Sequence, residues 1–507
     1  MILPHFSEHV HTTPARTLHI RMNSPSRVPL ARPTRQPPAR APHTAPSGAS
    51  SPPNSRLNMS RARAPARVAP RSALSARSNR ARAPERIDRS RVRALAVANP
   101  RAATPLPLLR EDVAYTHVSP GVCDACERSR EAREAWVKLL VGQFPSHAAN
   151  AERTRAHLRA DASYVEKYER FEKKYEEYLY AAIEAERGVA SARGVGDTLM
   201  DMVEEKERLL RSCGLEDMFL GLKASENEIC LALYPEMCRA VDALSDRRAR
   251  LQLVVEAALA GNLFDAGAAA AVQNVAFCDV EQVTCEYPED EKKRFTLDAS
   301  QLFATFAKAQ EKVVRPADGW KFDSFNEIDA RLRGDEPWKR VLIFCDNAGA
   351  DTMGMVLLAR YFASVNPNTV VALAANSSAA LNDITYDELS RFVSSCTQTD
   401  DALRDLVADG RVLCLPSGAT STLLDLSRVS PELATHVNDA GVRPRDWLVV
   451  LDGMGRSLES NWNAFAYMSP GVDVLSLAMV KSEINAKRLG AEVYDCVVRL
   501  NTAPTVS

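Results

Sequence analysis

What this chain lacks narrows it first. No apolar run in its 507 residues approaches the roughly 18–20 that a membrane-spanning helix needs, so no such helix is expected. There is no Walker lysine loop, no GxSxG elbow and no HExxH, which leaves nucleophilic-serine and zinc-hydrolase chemistry without a carrier. The nine histidines form no ligand-spaced cluster. Cys123-Asp-Ala-Cys126 has neither a second CxxC or CxxH to complete a zinc site nor a surrounding βαβ pattern for redox work, so it reads as two cysteines at a helix start. The eleven cysteines are scattered, and Cys345, Cys414 and Cys496 sit in apolar runs, which suits reduced, buried thiols in a cytosol-like compartment.

Lysine is absent from residues 1–100, and the only acids there are Glu8, Glu85 and Asp88. That stretch is dense in Arg, Pro, Ala and Ser and has too few large apolar residues to form a core. Residues 1–110 are therefore expected to be a disordered leader, and their composition is that of an organellar transit peptide. Composition does not separate mitochondrion from plastid. Other readings are a nonfunctional leader, with Met22 or Met59 as alternative starts, and an arm touching nucleic acid or anionic lipid. Without a transit peptide the protein would be cytoplasmic. The formal charge of -1 hides this segregation: beyond the leader the chain is acidic, so no basic face for nucleic acid is expected.

Residues 111–270 are expected to form a helical subdomain, with helical periodicity from about Glu131 to Asp265. Glu166-Lys-Tyr-Glu-Arg-Phe-Glu-Lys-Lys-Tyr-Glu-Glu-Tyr-Leu spaces aromatic and apolar residues three to four apart, the stripe of a helix facing a core. Asp197–Cys213 and Glu226–Ala260 behave likewise, and charge runs such as Glu204-Glu-Lys-Glu-Arg208 read as solvated faces. Gly261-Asn-Leu-Phe-Asp-Ala-Gly267 reads as a loop between helical stretches, and residues 271–339 as a polar connecting segment with short elements.

From residue 340 to 507, short β-branched runs alternate with helical patterns, the signature of an α/β domain. The expected strands are Val341–Cys345, Thr369–Ala374, Arg411–Leu415, Trp447–Leu451, Val474–Val480 and Val493–Leu500. Their carboxyl ends lead to polar residues, and α/β proteins bind ligands at that edge. The first leads to Asp346-Asn347 and Asp351, and the second to Asn376 and Asn382-Asp383. The third leads to Ser417-Gly418, the fourth to Asp452-Gly-Met-Gly-Arg456 with Glu459 and Asn461, and the fifth to Lys481. Gly453-x-Gly455 lacks the third glycine of a dinucleotide loop. Hard oxygen donors such as Asp346, Asn347 and Asp383 suit Mg²⁺ or Mn²⁺ better than Zn²⁺. Lys481 would neutralise phosphoryl charge, and Asp351 or Asp452 could position a water or act as base.

These residues carry a family resemblance over about 300 residues. Ala-Gly-Asn-Leu-Phe-Asp at 260–265, Asp346-Asn-x-Gly-Ala-Asp351, Ala374-Ala-Asn376 with Asn382-Asp-Ile-Thr385, Asp425–Leu433, Gly453-Met-Gly-Arg456, Glu459-x-Asn461, Met479-Val-Lys481 and Leu489–Cys496 follow in order. The chain thereby resembles the metal-dependent damage-control phosphatases. The likeness is to the subgroup of plant single-domain proteins and the C-terminal domain of the fourth pantothenate kinase. The resemblance implies a doubly wound, mostly parallel sheet with a helical N-terminal subdomain. It implies a divalent metal (Mn, Co, Ni or Mg) on Asp346, Asn347 and Asp383, with phosphate contacted by Lys481. Catalytic candidates are Asp346, Asp351, Asp452 and Lys481. Substrate contacts are expected from Asn262, Asp265, Asn376, Ser417, Gly418, Arg456, Glu459 and Asn461. The implied activity is hydrolysis of a small phosphomonoester, above all 4′-phosphopantetheine or its damaged forms, with no nucleic-acid or membrane partner.

Two positions depart from the family pattern. Ser417-Gly-Ala-Thr420 stands where Ser-Gly-Asn-Asp is usual, and Asp452 where Glu is usual. They motivate a rival reading, a noncatalytic regulator that binds a phosphorylated ligand. A further rival, a protein carboxyl methyltransferase, finds only the glycine pair at 453 and 455 to hold its cofactor.

Overall fold

The structure is a computed structural model that describes residues 104–116, 129–184, 196, 198–263, 319–438 and 442–504. Nearly all of the leader, the CxxC pair, Asp265 and most of the 271–339 segment lie outside the described residues.

Six helices precede the sheet: α1 (Arg130–Gly142), α2 (Phe144–Leu158), α3 (Ser163–Glu184), α4 (Leu199–Ser212), α5 (Leu220–Ala243) and α6 (Arg247–Leu263). The aromatic stripe of α3 is core, as its period predicts. Tyr164, Tyr168, Phe171, Tyr175, Leu179 and Ala182 are all buried, and Phe171 stacks on Tyr175 with centroids 5.6 Å apart. Thr198 caps α4 in a reciprocal box with Asp201. The stretch expected as one helix over Glu226–Ala260 is broken at Leu244–Asp246, where Asp246 accepts from the Arg248 amide at 2.8 Å and opens α6. Helix α6 then runs on through Gly261, Asn262 and Leu263 instead of ending in a loop. Gly261 serves close packing there and does not terminate the helix.

The seven-stranded sheet comprises β1 (Phe322–Asp323), β2 (Arg340–Phe344), β3 (Val370–Ala375), β4 (Val412–Pro416), β5 (Trp447–Asp452), β6 (Asp473–Met479) and β7 (Cys496–Thr502). Their order is β1-β7-β6-β5-β2-β3-β4. All neighbouring pairs are parallel except β6 with β7, so the sheet is mixed at one edge. Between the strands lie α7 (Phe325–Arg333), α8 (Ala350–Val365), α9 (Tyr386–Cys396), α10 (Asp401–Ala408), α11 (Pro431–Val437) and α12 (Glu483–Leu489). The six expected strands are present with ends moved by at most three residues. β1 and α7 are the short elements expected in the connecting segment, though two residues carry no period that would identify β1 as a strand.

Alternate residues of the central strand face opposite layers. Val341, Ile343 and Cys345 join a core with α5, α6, α8 and α9, while Leu342 and Phe344 join one with α11. Leu106 and Leu108 are buried in that second core, and the Thr104 amide donates to the Val429 carbonyl at 3.1 Å. Residues 104–110 are therefore packed, a correction to the expected leader: Leu106, Leu108 and Leu109 supply the apolar cluster that the arginine-rich stretch lacks.

Candidate functional site

Chain order runs outward from β2 to β3 and β4, then returns to β5 on the other side of β2. The reversal leaves a crevice between the carboxyl ends of β2 and β5, where a doubly wound sheet places its ligand. Asp346 follows β2 and Asp452 ends β5, and the Asp346 amide donates to Asp452 Oδ2 at 3.2 Å across the reversal.

Four carboxylates gather there, each less than a tenth exposed: Asp346, Asp351, Asp383 and Asp452. Asn347 Nδ2 donates to Asp346 Oδ2 at 2.9 Å and to Asp351 Oδ2 at 2.6 Å. Asn262, from α6, donates to Asp351 Oδ1 at 2.8 Å and Asp452 Oδ1 at 3.2 Å, and its own Oδ1 is buried without a partner. Asn376 Nδ2 donates to Asp383 Oδ2 at 2.9 Å and to the Ser421 carbonyl. Arg456 binds the set together: Nη1 donates to Asp346 Oδ1, and Nη2 to Asp383 Oδ2 and Asn376 Oδ1, both at 2.9 Å.

Glycines let these groups approach. Gly453 sits at φ +81°, and a Cβ there would overlap the Asp346 carboxylate. A Cβ at Gly261 would lie 2.6 Å from Asp351 Cα, and one at Gly354 2.7 Å from Ala258 Cα. The crossing of α6 and α8 is thus close enough to bring Asn262 to the crevice.

The crowding is electrostatically costly. Burial pushes the Asp383 carboxyl up to about 7, against the pull of Arg456 and with the push of Asp346. Burial, then Asp351 and Asp346, hold Asp452 well above the carboxylate range.

The helical layer adds cations. Lys223 of α5 is fully buried, pairing with Asp217 at 2.8 Å and Glu388 at 2.9 Å, and it reaches the Asp383 carbonyl at 3.4 Å. Glu388 is also the capping-box acid of α9. Lys206 and Glu207 of α4 are buried too, with 3.6 Å between Nζ and Oε1. The expectation of a solvated face at 204–208 fails at these two positions. Five consecutive charges hide the helical period, yet Met202, Val203, Lys206, Glu207 and Leu210 share the buried face.

Asp346, Asn347, Asp351, Asn376, Asp383, Asp452, Arg456 and Asn262 form one hydrogen-bonded cluster. Lys481 is buried two residues beyond β6, at the same edge of the sheet. Glu459 lies in a π turn, Met454–Glu459, and accepts from Asn485 Nδ2 at 2.9 Å. Asn461 is occupied by the Leu424 and Arg456 carbonyls and by the Tyr115 hydroxyl. Ser417 and Gly418 shape the loop after β4: Ser417 Oγ accepts from the Ala419 amide, and the Gly418 amide donates to Ser377 Oγ. Sequence reasoning missed Lys206, Glu207, Lys223 and Asn485.

Do these residues suit a divalent cation? Among the described residues, no three His, Cys, Asp or Glu side chains converge as a ready-made ligand set, and Arg456 spans Asp346 and Asp383. The chemistry fits nonetheless. The donors are hard oxygens, four carboxylates share the cluster with the Arg456 guanidinium, and among the described residues the Asn262 oxygen lacks a donor.

Fold and site together define an α/β protein with an oxygen-rich ligand site at the reversal point of a doubly wound sheet. Residues 144–497 match the model of the damage-control phosphatase ARMT1-like domain. The chain belongs to that family. It is 30% identical over 368 residues to a damage-control phosphatase of Arabidopsis thaliana, covering 72% of this chain and 87% of that one. It is 30% identical over 426 residues to pantothenate kinase 2 of Arabidopsis thaliana, and 26% identical over 442 residues to a 4′-phosphopantetheine phosphatase of Mus musculus. Both alignments cover 78% of this chain but only 41% and 48% of those proteins, so the chain spans less than half their length. A crystal structure of a DUF89 family protein from Pyrococcus horikoshii aligns with TM-score 0.46 and 14% identity, over 71% of this chain and 98% of that one.

Proposed function

We propose that the protein is a metal-dependent phosphatase of small phosphomonoesters, with 4′-phosphopantetheine or a damaged form of it as substrate. The observation that carries this reading is the buried cluster of four carboxylates at the sheet reversal, with side-chain amides and the Arg456 guanidinium hydrogen-bonded among them. Family membership and the named relatives support the reaction class.

Asp346, Asn347 and Asp383 would hold the cation, which we take to be Mn²⁺, Co²⁺, Ni²⁺ or Mg²⁺. Such an ion polarises a phosphoryl oxygen and lowers the pKa of a bound water. Lys481 opposes charge on the phosphoryl oxygens. Asp351, clamped by Asn262 and Asn347, has the fixed carboxylate needed to orient the attacking water and take its proton. Asp452 braces the Asp346 turn through its backbone contact. Water adds to phosphorus, the ester P–O bond breaks, and the products are inorganic phosphate and the alcohol.

The test is phosphate release from 4′-phosphopantetheine and p-nitrophenyl phosphate with each metal, for wild type and Asp346→Ala. Loss of turnover by at least about a thousandfold in the variant is expected from removal of a metal ligand. Equal activity in the two proteins would sink the proposal. The regulator reading rests on Arg456 lying across two of the proposed ligands, and metal binding without turnover would favour it.

A further inference from the structure

We propose that a cavity where α5, α6 and α8 meet binds a small, multiply charged oxyanion of phosphate or pyrophosphate size. The cavity holds about 250 Å³. It is lined chiefly by Asp242 of α5, Arg247 and Arg250 of α6, and Arg360, Tyr361 and Ser364 of α8. This site goes beyond the phosphatase reading and does not rest on it.

Three guanidiniums and one carboxylate line the cavity. The carboxylate is already engaged: both oxygens of Asp242 accept from Arg360, at 2.9 and 2.7 Å. Arg360 also pairs with Asp400 at 2.7 Å, so its own charge is met. Arg247 and Arg250 differ, since among the described residues neither forms an ion pair. Arg247 Nη2 donates to the Leu332 carbonyl at 2.6 Å, while its Nε is buried without a hydrogen-bond partner. Arg250 spends its Nε on the Leu244 carbonyl, and among the described residues neither of its Nη groups has an acceptor. Donors held in such a wall are unfavourable until an acceptor meets them.

The free guanidinium donors suit the paired oxygens of a phosphate. Each of the two side chains is pre-set, because one of its nitrogens is tied to a backbone carbonyl, and less order is lost on binding. Tyr361 is fixed as well: its hydroxyl donates to the Arg247 carbonyl at 3.0 Å, and Ser364 Oγ donates to the Tyr361 carbonyl at 2.8 Å. The volume lies below the roughly 300–1,000 Å³ of pockets for larger organic ligands, which favours a compact anion over a nucleotide. The cavity is also remote from the crevice. Arg250 and Asn262 lie near opposite ends of α6, about 18 Å apart along the helix. Asp351 opens α8 and Ser364 nearly closes it, and Lys223 and Asp242 stand at opposite ends of α5. An anion here therefore sits away from the four acids.

The experiment titrates pyrophosphate into the full chain by calorimetry, in EDTA and about 0.15 M NaCl, where bare surface charge is screened. The proteins are wild type, Arg247→Met, Arg250→Met, Ser364→Glu and Lys481→Met. Wild type should bind one pyrophosphate, and each arginine variant should raise its Kd by roughly ten- to hundredfold. Ser364 is exposed, and glutamate there adds a carboxylate to the cavity while both arginines stay. That variant should weaken binding by at least about tenfold, and it decides the matter if the methionine proteins fail to fold. Lys481→Met removes the proposed phosphate contact of the crevice and should leave Kd within about twofold. No binding by wild type would overturn the proposal. So would an unchanged Kd in the methionine proteins and in Ser364→Glu. A loss in Lys481→Met with the arginine variants unaffected would place the anion in the crevice and overturn it too. Turnover is not read in this titration, so its failure leaves the phosphatase reading to the test of Asp346→Ala.

Discussion

Replacing Lys223 with methionine tests the tie between the helical layer and the crevice. The substitution keeps the stem and removes the charge, leaving Asp217 and Glu388 facing each other in a buried space. Breaking a buried ion pair by removing one partner costs about 3–5 kcal/mol. Here the lower end applies. The Asp217 side chain is 17% exposed, and Glu388 keeps the Thr385 amide and hydroxyl at 2.9 and 2.7 Å. The expected loss is about 3 kcal/mol in the free energy of urea unfolding. The alkaline limb gives an independent check. Burial alone would lower the Lys223 pKa, but Asp217 and Glu388 outweigh it and hold it above the usual 10.5. Its contribution is therefore complete below pH 10.5 and fades as pH rises through the folded value. Wild type should lose stability in that range and the methionine variant should lose less. Mn²⁺ affinity should fall as well, because the Nζ contact to the Asp383 carbonyl disappears. A change in unfolding free energy under about 0.5 kcal/mol, the range of ordinary surface substitutions, would refute the reasoning.

Three further outcomes follow from the same geometry. Gly453→Ala places a Cβ on the Asp346 carboxylate at φ +81°, so it should cost about 1–3 kcal/mol of stability and weaken Mn²⁺ binding, read by chemical unfolding and calorimetry. Arg456→Met removes the guanidinium that Asp346 and Asp383 share. Its metal-free melting temperature should drop, and added Mn²⁺ should raise it by more than in wild type, seen by thermal shift. Burial, with Lys206 adding, holds the His147 pKa well below 6.5, so neutral His147 supports the fold above that pH and the support is lost as pH falls. Acid unfolding of wild type should thus show an extra slope of up to about 1.4 kcal/mol per pH unit below 6.5, absent in His147→Leu.

The α/β half was legible because buried parallel strands read as short apolar runs, as at Val341–Cys345, and because the chemistry lies directly after them in sequence. Asp346, Asn347 and Asp351 are neighbours in sequence as they are in the structure, although the turn alone reads equally well as a plain capped turn. Other features needed tertiary knowledge. Strand β1 is two residues long and is specified by its partner Val497–Val498, not by its own composition. Gly261 looked like punctuation, whereas its missing Cβ admits Asp351 to the face of α6. Lys206 and Glu207 were masked by the charges flanking them, and only the helical period shows them turned inward. Arg456 could be assigned to the edge from topology, but its fold-back onto two carboxylates is a matter of rotamer and neighbours.

The α6–α8 crossing bears on how such a site can be passed between proteins. A segment beginning at Arg340 would carry the six strands from β2 onward and all four acids, yet Asp351 would lose Asn262 and α8 would lose the helix seated against Gly354. Lys223, which steadies Asp383, would be gone too. A gene fusion or duplication that moved the sheet alone would deliver half a pocket. The smallest transferable unit therefore includes the helical layer, and selection on the crevice acts on residues as far upstream of its first acid as Lys223.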